Sequence, residues 1–546
     1  LAPSDHRRTT GNAGDTGNDP DETARERNEN VKTNTVKKHL KWVGLGVLVA
    51  GATGALAQTE DSLQARLDEL DQKIRVIERL NELAAEEAKA AAAKSPKVSA
   101  DDRGLGLSSA DGSFALKYRG FTQFSTAHLF GKSGTSSTTA SPNVTTSVEP
   151  TLNDNYTIRR LQSDITGTAY KNFEWRTHID FAGGSASLLD VNLDWKIQPE
   201  LNLRVGKFKP PTGLERLISS PRAPFIEGSF VTLLQPNRDI GAQLFGAFGK
   251  GIVEYQAGIF NGARDGQNNT GDNNNEKDFY GRLFSHPFVG KGEWLEGLGL
   301  GISGSTGKQA QYNNVATTAT VVTATSGSAN TPGTGNPAVI TTTAAVSNGI
   351  ASYSTGRQGF FSYAANDTSV GTVSRYSPQA YYYAGPLGII AEYTATTQNI
   401  RRAAFEQEIT NSAWALTASW FITGEKNSYK GIKVKKANTF PKIDGLGGLE
   451  VLGRVHGLKI DDKAFAPLNT ADLRVTYADA AKQASEVLGY GLALGWYVNN
   501  TVKIFASYEQ VDFAGGTGTS ATATAAPIVT DRESEKVLSL SFNVAY

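Results

Sequence analysis

Phe173, Trp175, Thr177, Ile179 and Phe181 alternate with Glu174, Arg176, His178 and Asp180, and Leu189, Val191, Leu193, Trp195 and Ile197 alternate with Asp190, Asn192, Asp194 and Lys196. Successive side chains of a strand point to opposite faces, so this period of two describes strands with one greasy and one polar face. The pattern recurs in stretches of about ten residues from Phe114 to the end, where Leu538, Leu540, Phe542, Val544 and Tyr546 enclose Ser539, Ser541 and Asn543. Such a sheet hides its apolar face either against a second sheet or in lipid. Three features favour lipid. Charged residues stand mid-strand on the polar face, aromatics mark the strand ends on the apolar face, and long polar connections alternate with very short turns. A closed barrel carries this arrangement through a bilayer because closure leaves no backbone edge unpaired. The expected fold is therefore all-β, a transmembrane antiparallel barrel over residues 113–546.

Sixteen strands are expected, beginning near residues 114, 156, 173, 187, 200, 238, 251, 278, 297, 374, 387, 409, 447, 485, 501 and 535. An even number puts both barrel termini on one side, the periplasm. Parity then places the short turns at Tyr170 to Asn172, Gln198-Pro199, Gly249-Lys250, Gly385-Pro386 and Asn499-Asn500 on that side. The long connections 131–155, 209–237, 262–277, 309–373 and 514–534 fall outside, and Thr317 to Ser347 is a low-complexity surface run. Residues 424–446 break the rule, being periplasmic yet long. They carry Lys426, Lys430, Lys433, Lys435, Lys436 and Lys442. Such a segment either folds into the barrel mouth and concentrates anions or is a solvated lysine-rich turn.

Upstream of the barrel three segments are expected. Residues 1–35 are a polar leader unable to fold alone. Residues 36–57 read as a signal peptide: Lys37, Lys38 and Lys41 precede the apolar run Trp42 to Ala57, which ends in Ala55-Leu56-Ala57. Residues 58–112 hold a short α-helical coiled coil and a linker. Leu63, Leu70 and Ile77 take d positions, Leu67, Ile74 and Asn81 take a, and Arg66/Asp71 and Lys73/Glu78 are complementary across a parallel pair. The alternative is an amphipathic helix lying on its own protein. Ser95-Pro96 ends the helix, because a residue before proline resists the α region.

Composition enters where chemistry is sought. Lysines plus arginines number 54 against 54 acidic residues, and there is no cysteine. Balanced charge argues against nucleic acid as partner, and the lack of cysteine removes thiol catalysis and Cys-based zinc sites. The six histidines are scattered, so no metal site, cofactor or enzymatic activity is expected. What remains is a lumen lined with charge. Arginine's fork suits phosphate and carboxylate oxygens, and rings of Arg or Lys build anion pores. The candidates on polar faces are Arg119, Arg160, Arg176, Arg204, Arg282 and Arg454, with Arg159 adjacent to Arg160. The connection expected to fold inward, 209–237, adds Lys209, Arg216 and Arg222 beside Glu227. Glu174, Asp180, Asp190, Asp194, Glu254, Glu392 and Glu509 share the lumen. For each arginine the alternative role is a salt bridge in the wall.

Several short pieces occur in a telling order: Ile158-Arg159-Arg160, Val205-Gly206-Lys207-Phe208-Lys209-Pro210-Pro211, Gly281-Arg282-Leu283-Phe284-Ser285-His286-Pro287, the run Gly385 to Tyr393, Phe421 to Glu425 and Leu494 to Asn500. With them, the stretch from Phe114 to Tyr546 resembles the phosphate-selective porin O and P family of Gram-negative outer membranes. The resemblance implies a trimer of sixteen-stranded barrels with an arginine-rich constriction and a basic periplasmic funnel. It points to Arg159, Arg160 and Arg119 as phosphate-path residues and to the Lys430 to Lys442 turn as the funnel. The balanced charge and the weakly basic 209–237 connection depart from the family. The expected function is passive diffusion of small hydrophilic solutes, anions such as phosphate preferred, through a barrel in outer-membrane lipid. The alternatives are a weakly selective diffusion pore and an envelope protein that tethers the outer membrane through its coiled coil.

Overall fold

The computed structural model describes residues 60–101, 104–130, 154–272, 274–292, 294–308, 312–313, 352–353, 356, 358–364, 367–438 and 445–546. The polar leader, the signal peptide, Lys442 and the low-complexity run lie outside the described residues. The chain divides near residue 92 into two units.

The first unit is a helix, α1 (Glu60–Lys94). It covers the segment expected from the heptads and ends at Ser95-Pro96. Leu67, Leu70, Ile74 and Ile77 are 52–60% exposed along it. The exposed pairs Lys73–Glu69 and Arg75–Asp71 stand one turn apart at 2.6 and 2.7 Å and support the helix by a few tenths of a kcal/mol each, about 0.2–0.5.

In the second unit, sixteen antiparallel strands close on themselves. They are β1 (Phe114–Phe130), β2 (Asn155–Ala169), β3 (Phe173–Asp180), β4 (Ser187–Gln198), β5 (Leu201–Phe208), β6 (Asp239–Phe248), β7 (Val253–Phe260) and β8 (Asp278–Ser285). The circuit continues through β9 (Leu298–Lys308), β10 (Thr368–Ala384), β11 (Leu387–Arg402), β12 (Phe405–Phe421), β13 (Gly448–Lys459), β14 (Ala484–Tyr497), β15 (Val502–Thr519) and β16 (Glu535–Ala545). Closure runs from Lys536 opposite Phe130 to Ala545 opposite Phe121. A small hairpin, Lys97–Asp101 with Gly104–Ser108, extends β1 where β16 has ended.

Each expected strand is present. The expected starts of β10 and β12 move earlier, to Thr368 and Phe405, because these strands are 17 residues long. The β11–β12 connection, on the long-loop side, is only Ala403-Ala404, with Ala403 at φ 52°. The short turns lie where parity placed them. Tyr170 and Lys171 adopt φ 53° and 66°, left-handed positions in the three-residue turn between the paired Ala169 and Phe173. Phe114 packs its ring edge against Tyr170 at 5.0 Å there.

Burial is inverted relative to a water-soluble sheet. Along β4, Val191, Leu193, Trp195 and Ile197 are 40–45% exposed, whereas Asp190 and Asp194 are each 2% exposed. The apolar face is the outer surface and the charges are inside, as a lipid solvent demands. Leu492 stands 68% exposed in the middle of β14. Leu492→Arg is therefore expected to destabilise the bilayer-inserted barrel by about 2–4 kcal/mol, read from unfolding titrations in lipid vesicles.

Candidate functional site

The lumen is shaped by the connection between β5 and β6. Strand β5 stops after eight residues at Phe208, and Pro210-Pro211 lack the N–H groups that would continue the ladder. The chain therefore leaves the wall and enters the barrel. Glu392 of β11 anchors its base: one carboxylate oxygen accepts the N–H groups of Leu214 and Glu215 at 2.9 and 2.8 Å, and the other accepts the Gln235 amide at 2.5 Å.

Farther along, the loop is held from two walls. Arg159 of β2 forks Glu227 at 2.5 and 2.8 Å, and Arg160 donates to the Ile226 carbonyl at 3.2 and 3.1 Å. Arg454 of β13 donates to the Glu227 carbonyl at 2.9 Å and pairs with Glu509. Strands β2 and β13 lie five steps apart in the circuit, and Phe225 and Ile226 pack on Leu452, Ala493 and Phe505 between them, so residues 226–230 form a bar inside the lumen along this sector of the wall. Its end is fixed by His456, whose Nδ1 accepts the Phe230 N–H at 3.1 Å and whose ring stacks on Phe230 at 4.1 Å. Phe230, Val231 and Leu234 then join an apolar core with Phe360, Phe361, Tyr363 and Tyr477 from the connections at the long-loop end.

Beneath the loop, on the short-turn side, is a cavity of about 1400 Å³. Leu217 to Arg222 of the loop line it, as do Ser428 to Val434 and Asn499 to Val502 of the opposite turns. One wall is a charged ladder across β1 to β5. Arg119 and Arg176 pair with Asp164 at 2.9 and 2.6 Å, Arg176 also with Asp190 at 3.1 Å, and Arg204 with Asp194 at 2.7 Å. The guanidinium side chains are 32–43% exposed, the carboxylates only 3–15%. The cations thus reach the lumen while their counter-charges sit at the wall. Glu174 is the exception, a half-exposed acid beside Lys196.

Of the residues singled out in the sequence, Arg119, Arg176, Arg204, Lys209 and Arg222 meet at this cavity, joined by Lys430 and Lys433. Arg159, Arg160 and Arg454 lie above it and fasten the loop. Arg216 belongs to the loop itself and donates to the carbonyls of Thr232 and Gln235. Arg282 is buried, donating to Gln379 at 3.2 Å over the Phe284 ring. Lys435 and Lys436 are exposed on the turn, Lys435 donating to the Gly424 carbonyl.

Arg238 and Arg375 are not among the residues singled out in the sequence. Arg238 pairs with Asp190 at 3.0 Å; it stands at the very start of the expected strand, one residue before β6. Arg375 is buried against Asp265 at 2.6 Å, and starting that strand at residue 374 leaves it at the very edge of the pattern.

Lys209 donates to the Ile218 carbonyl at 2.8 Å. Burial, reinforced by the Arg238 guanidinium, pushes its ammonium down to about 7. Folding therefore favours the neutral amine, and stability from this group is lost as pH falls from the unfolded value of about 10.4 toward 7. In the folded chain the lumen gains this positive charge around pH 7. Bilayer reversal potentials are expected to move toward anions between pH 8 and 6, and Lys209→Gln to flatten that change.

Arg222 is different. Its guanidinium makes no hydrogen bond or ion pair with a protein group among the described residues. Partial burial, together with the like charge of Arg119, holds it below the ordinary arginine value.

A closed sixteen-stranded barrel with an apolar outer face, a charged lumen and an inward-folded loop defines a porin. The sequence model for phosphate-selective porin O and P matches residues 148–526. The chain belongs to that family. It is 25% identical to Porin O of Pseudomonas aeruginosa over 365 residues, 64% of this chain and 75% of that protein. Similar solved structures include OmpT of Vibrio cholerae (10% identity, 80% of this chain and 98% of that one, TM-score 0.44) and DcaP of Acinetobacter baumannii (9%, 80% and 98%, 0.41). OprB of Pseudomonas putida is also similar (11%, 80% and 95%, 0.42).

Proposed function

We propose that this chain is an outer-membrane porin through which small hydrophilic solutes diffuse, anions preferred and phosphate among them. The observation that carries the reading is the asymmetry of the ladder: equal charges are present, yet the cationic ends of Arg119, Arg176 and Arg204 face the water and their carboxylates do not. A passing ion meets the nearer charge first, and electrolyte screens beyond about 8–10 Å. The exposed lysines of the 424–446 turn extend the basic surface toward the periplasm as a funnel. We assign the helix of residues 60–94 to the periplasmic side as a self-associating coiled coil, consistent with a homotrimer.

Reversal potentials of the reconstituted full chain in a potassium chloride gradient test the reading. The expected sign is anion-selective, with chloride current reduced by added phosphate. A zero potential would favour the weakly selective pore, and a cation-selective one would remove the proposal.

A further inference from the structure

Across the cavity from the charged ladder stands an aromatic wall. Strand β3 lies at the centre of the ladder and β11 lies opposite it in the sixteen-strand circuit. Tyr383, at the end of β10, and Tyr429, in the turn after β12, both line the cavity. Glycines seat the Tyr383 ring and the neighbouring Tyr381 ring: a Cβ on Gly388 would come within 2.8 Å of Tyr383, and one on Gly299 within 2.7 Å of Tyr381. Tyr429 stacks on Tyr381 at 5.3 Å and 16°, and Tyr381 meets Tyr383 at 5.2 Å. Tyr429 is also pinned by its hydroxyl, which donates to the Leu214 carbonyl at 2.8 Å. Rings held this way lie along the wall instead of pointing across the water.

Two residues after Tyr429, Gly431 has φ +105°, and its missing Cβ leaves room for Arg222, whose Nε lies 3.0 Å from that position. Arg222 thus reaches the aromatic wall from the inward loop with its guanidinium unclaimed. Lys430 adjoins Tyr429 and Gly431 in sequence, and Arg119 faces the same cavity.

We propose that Tyr383 and Tyr429, together with Arg222 and Arg119, form a subsite for aromatic carboxylates. The carboxylate takes the guanidinium fork, which prefers two coplanar oxygens, and the ring lies against the tyrosines. Inorganic phosphate and acetate use the first half of this site and gain nothing from the second. The inference rests on the reading of the chain as an anion pore but asks more of it, since a merely cationic lumen does not discriminate rings.

The test is block of chloride current in planar bilayers by benzoate and by cyclohexanecarboxylate, similar in size and charge but differing in the π face. Aromatic pairs contribute enough that benzoate is expected to block at about threefold to tenfold lower concentration. Tyr429→Leu should abolish that ratio, and Tyr429→Phe, which keeps the ring and loses the Leu214 bond, should restore it. Arg222→Gln should weaken both blockers together. Equal block by the two acids in the native chain, or a ratio unchanged in both Tyr429→Leu and Tyr383→Leu, would overturn the subsite. A cation-selective reversal potential with the benzoate advantage retained would dismiss the anion-pore reading and leave the subsite standing.

Discussion

Replacing Arg119, Arg176 and Arg204 together by glutamine is expected to reverse the sign of the reversal potential, from anion- to cation-selective. Three cations leave the lumen face, while Asp164, Asp190 and Asp194 stay behind with fewer partners. Asp190 keeps Arg238 at 3.0 Å, and Asp194 keeps Lys196 at 3.6 Å, but Asp164 loses both of its arginines. That carboxylate is left without a counter-charge, so adding Asp164→Asn should recover stability while returning the potential only part of the way. The effect should be larger in dilute electrolyte, where the Debye length grows to about 30 Å at 0.01 M. An unchanged sign in the triple variant would locate selectivity elsewhere.

A second large effect is expected at Arg454. Its side chain is 1% exposed, stacked 4.2 Å over the Phe225 ring, and shared between Glu509 and the carbonyl of Glu227. Arg454→Ala strands Glu509 in a buried position, a loss of about 3–5 kcal/mol. Much of that falls on docking of the inward loop, shifting its docked-to-undocked ratio by about two to four orders of magnitude. Single-channel records should show larger, flickering conductance in place of steady levels. Arg454→Ala combined with Glu509→Ala removes both buried charges and should regain most of the stability without regaining quiet channels. Steady native-like levels in Arg454→Ala would show that the bar is held by its other contacts.

These two expectations divide the arginines in a way composition does not. Period two assigns each strand residue to a face. Arg119, Arg176 and Arg204 were therefore legible as lumen residues. Arg160, of the same residue type on the neighbouring strand, is engaged with Gln123 and the Ile226 carbonyl, and only the path of the inward loop explains why. The loop's entry was readable at Pro210-Pro211. Its crossing from β2 to β13 was not, since contacts between residues hundreds of positions apart have no local periodicity.

Alternation and parity, both local properties of the chain, determined the barrel, its strand number, the side of each short turn and the inner or outer face of nearly every side chain. They carry this information because a strand repeats every two residues and a barrel must close. Tertiary structure alone decided how deep each charge sits, which carboxylates are covered by their arginines, and that an apolar core around Phe230 fills part of the long-loop end. Those outcomes depend on which distant segments share one small volume, and excluded space and charge pairing are settled only when the whole circuit has closed.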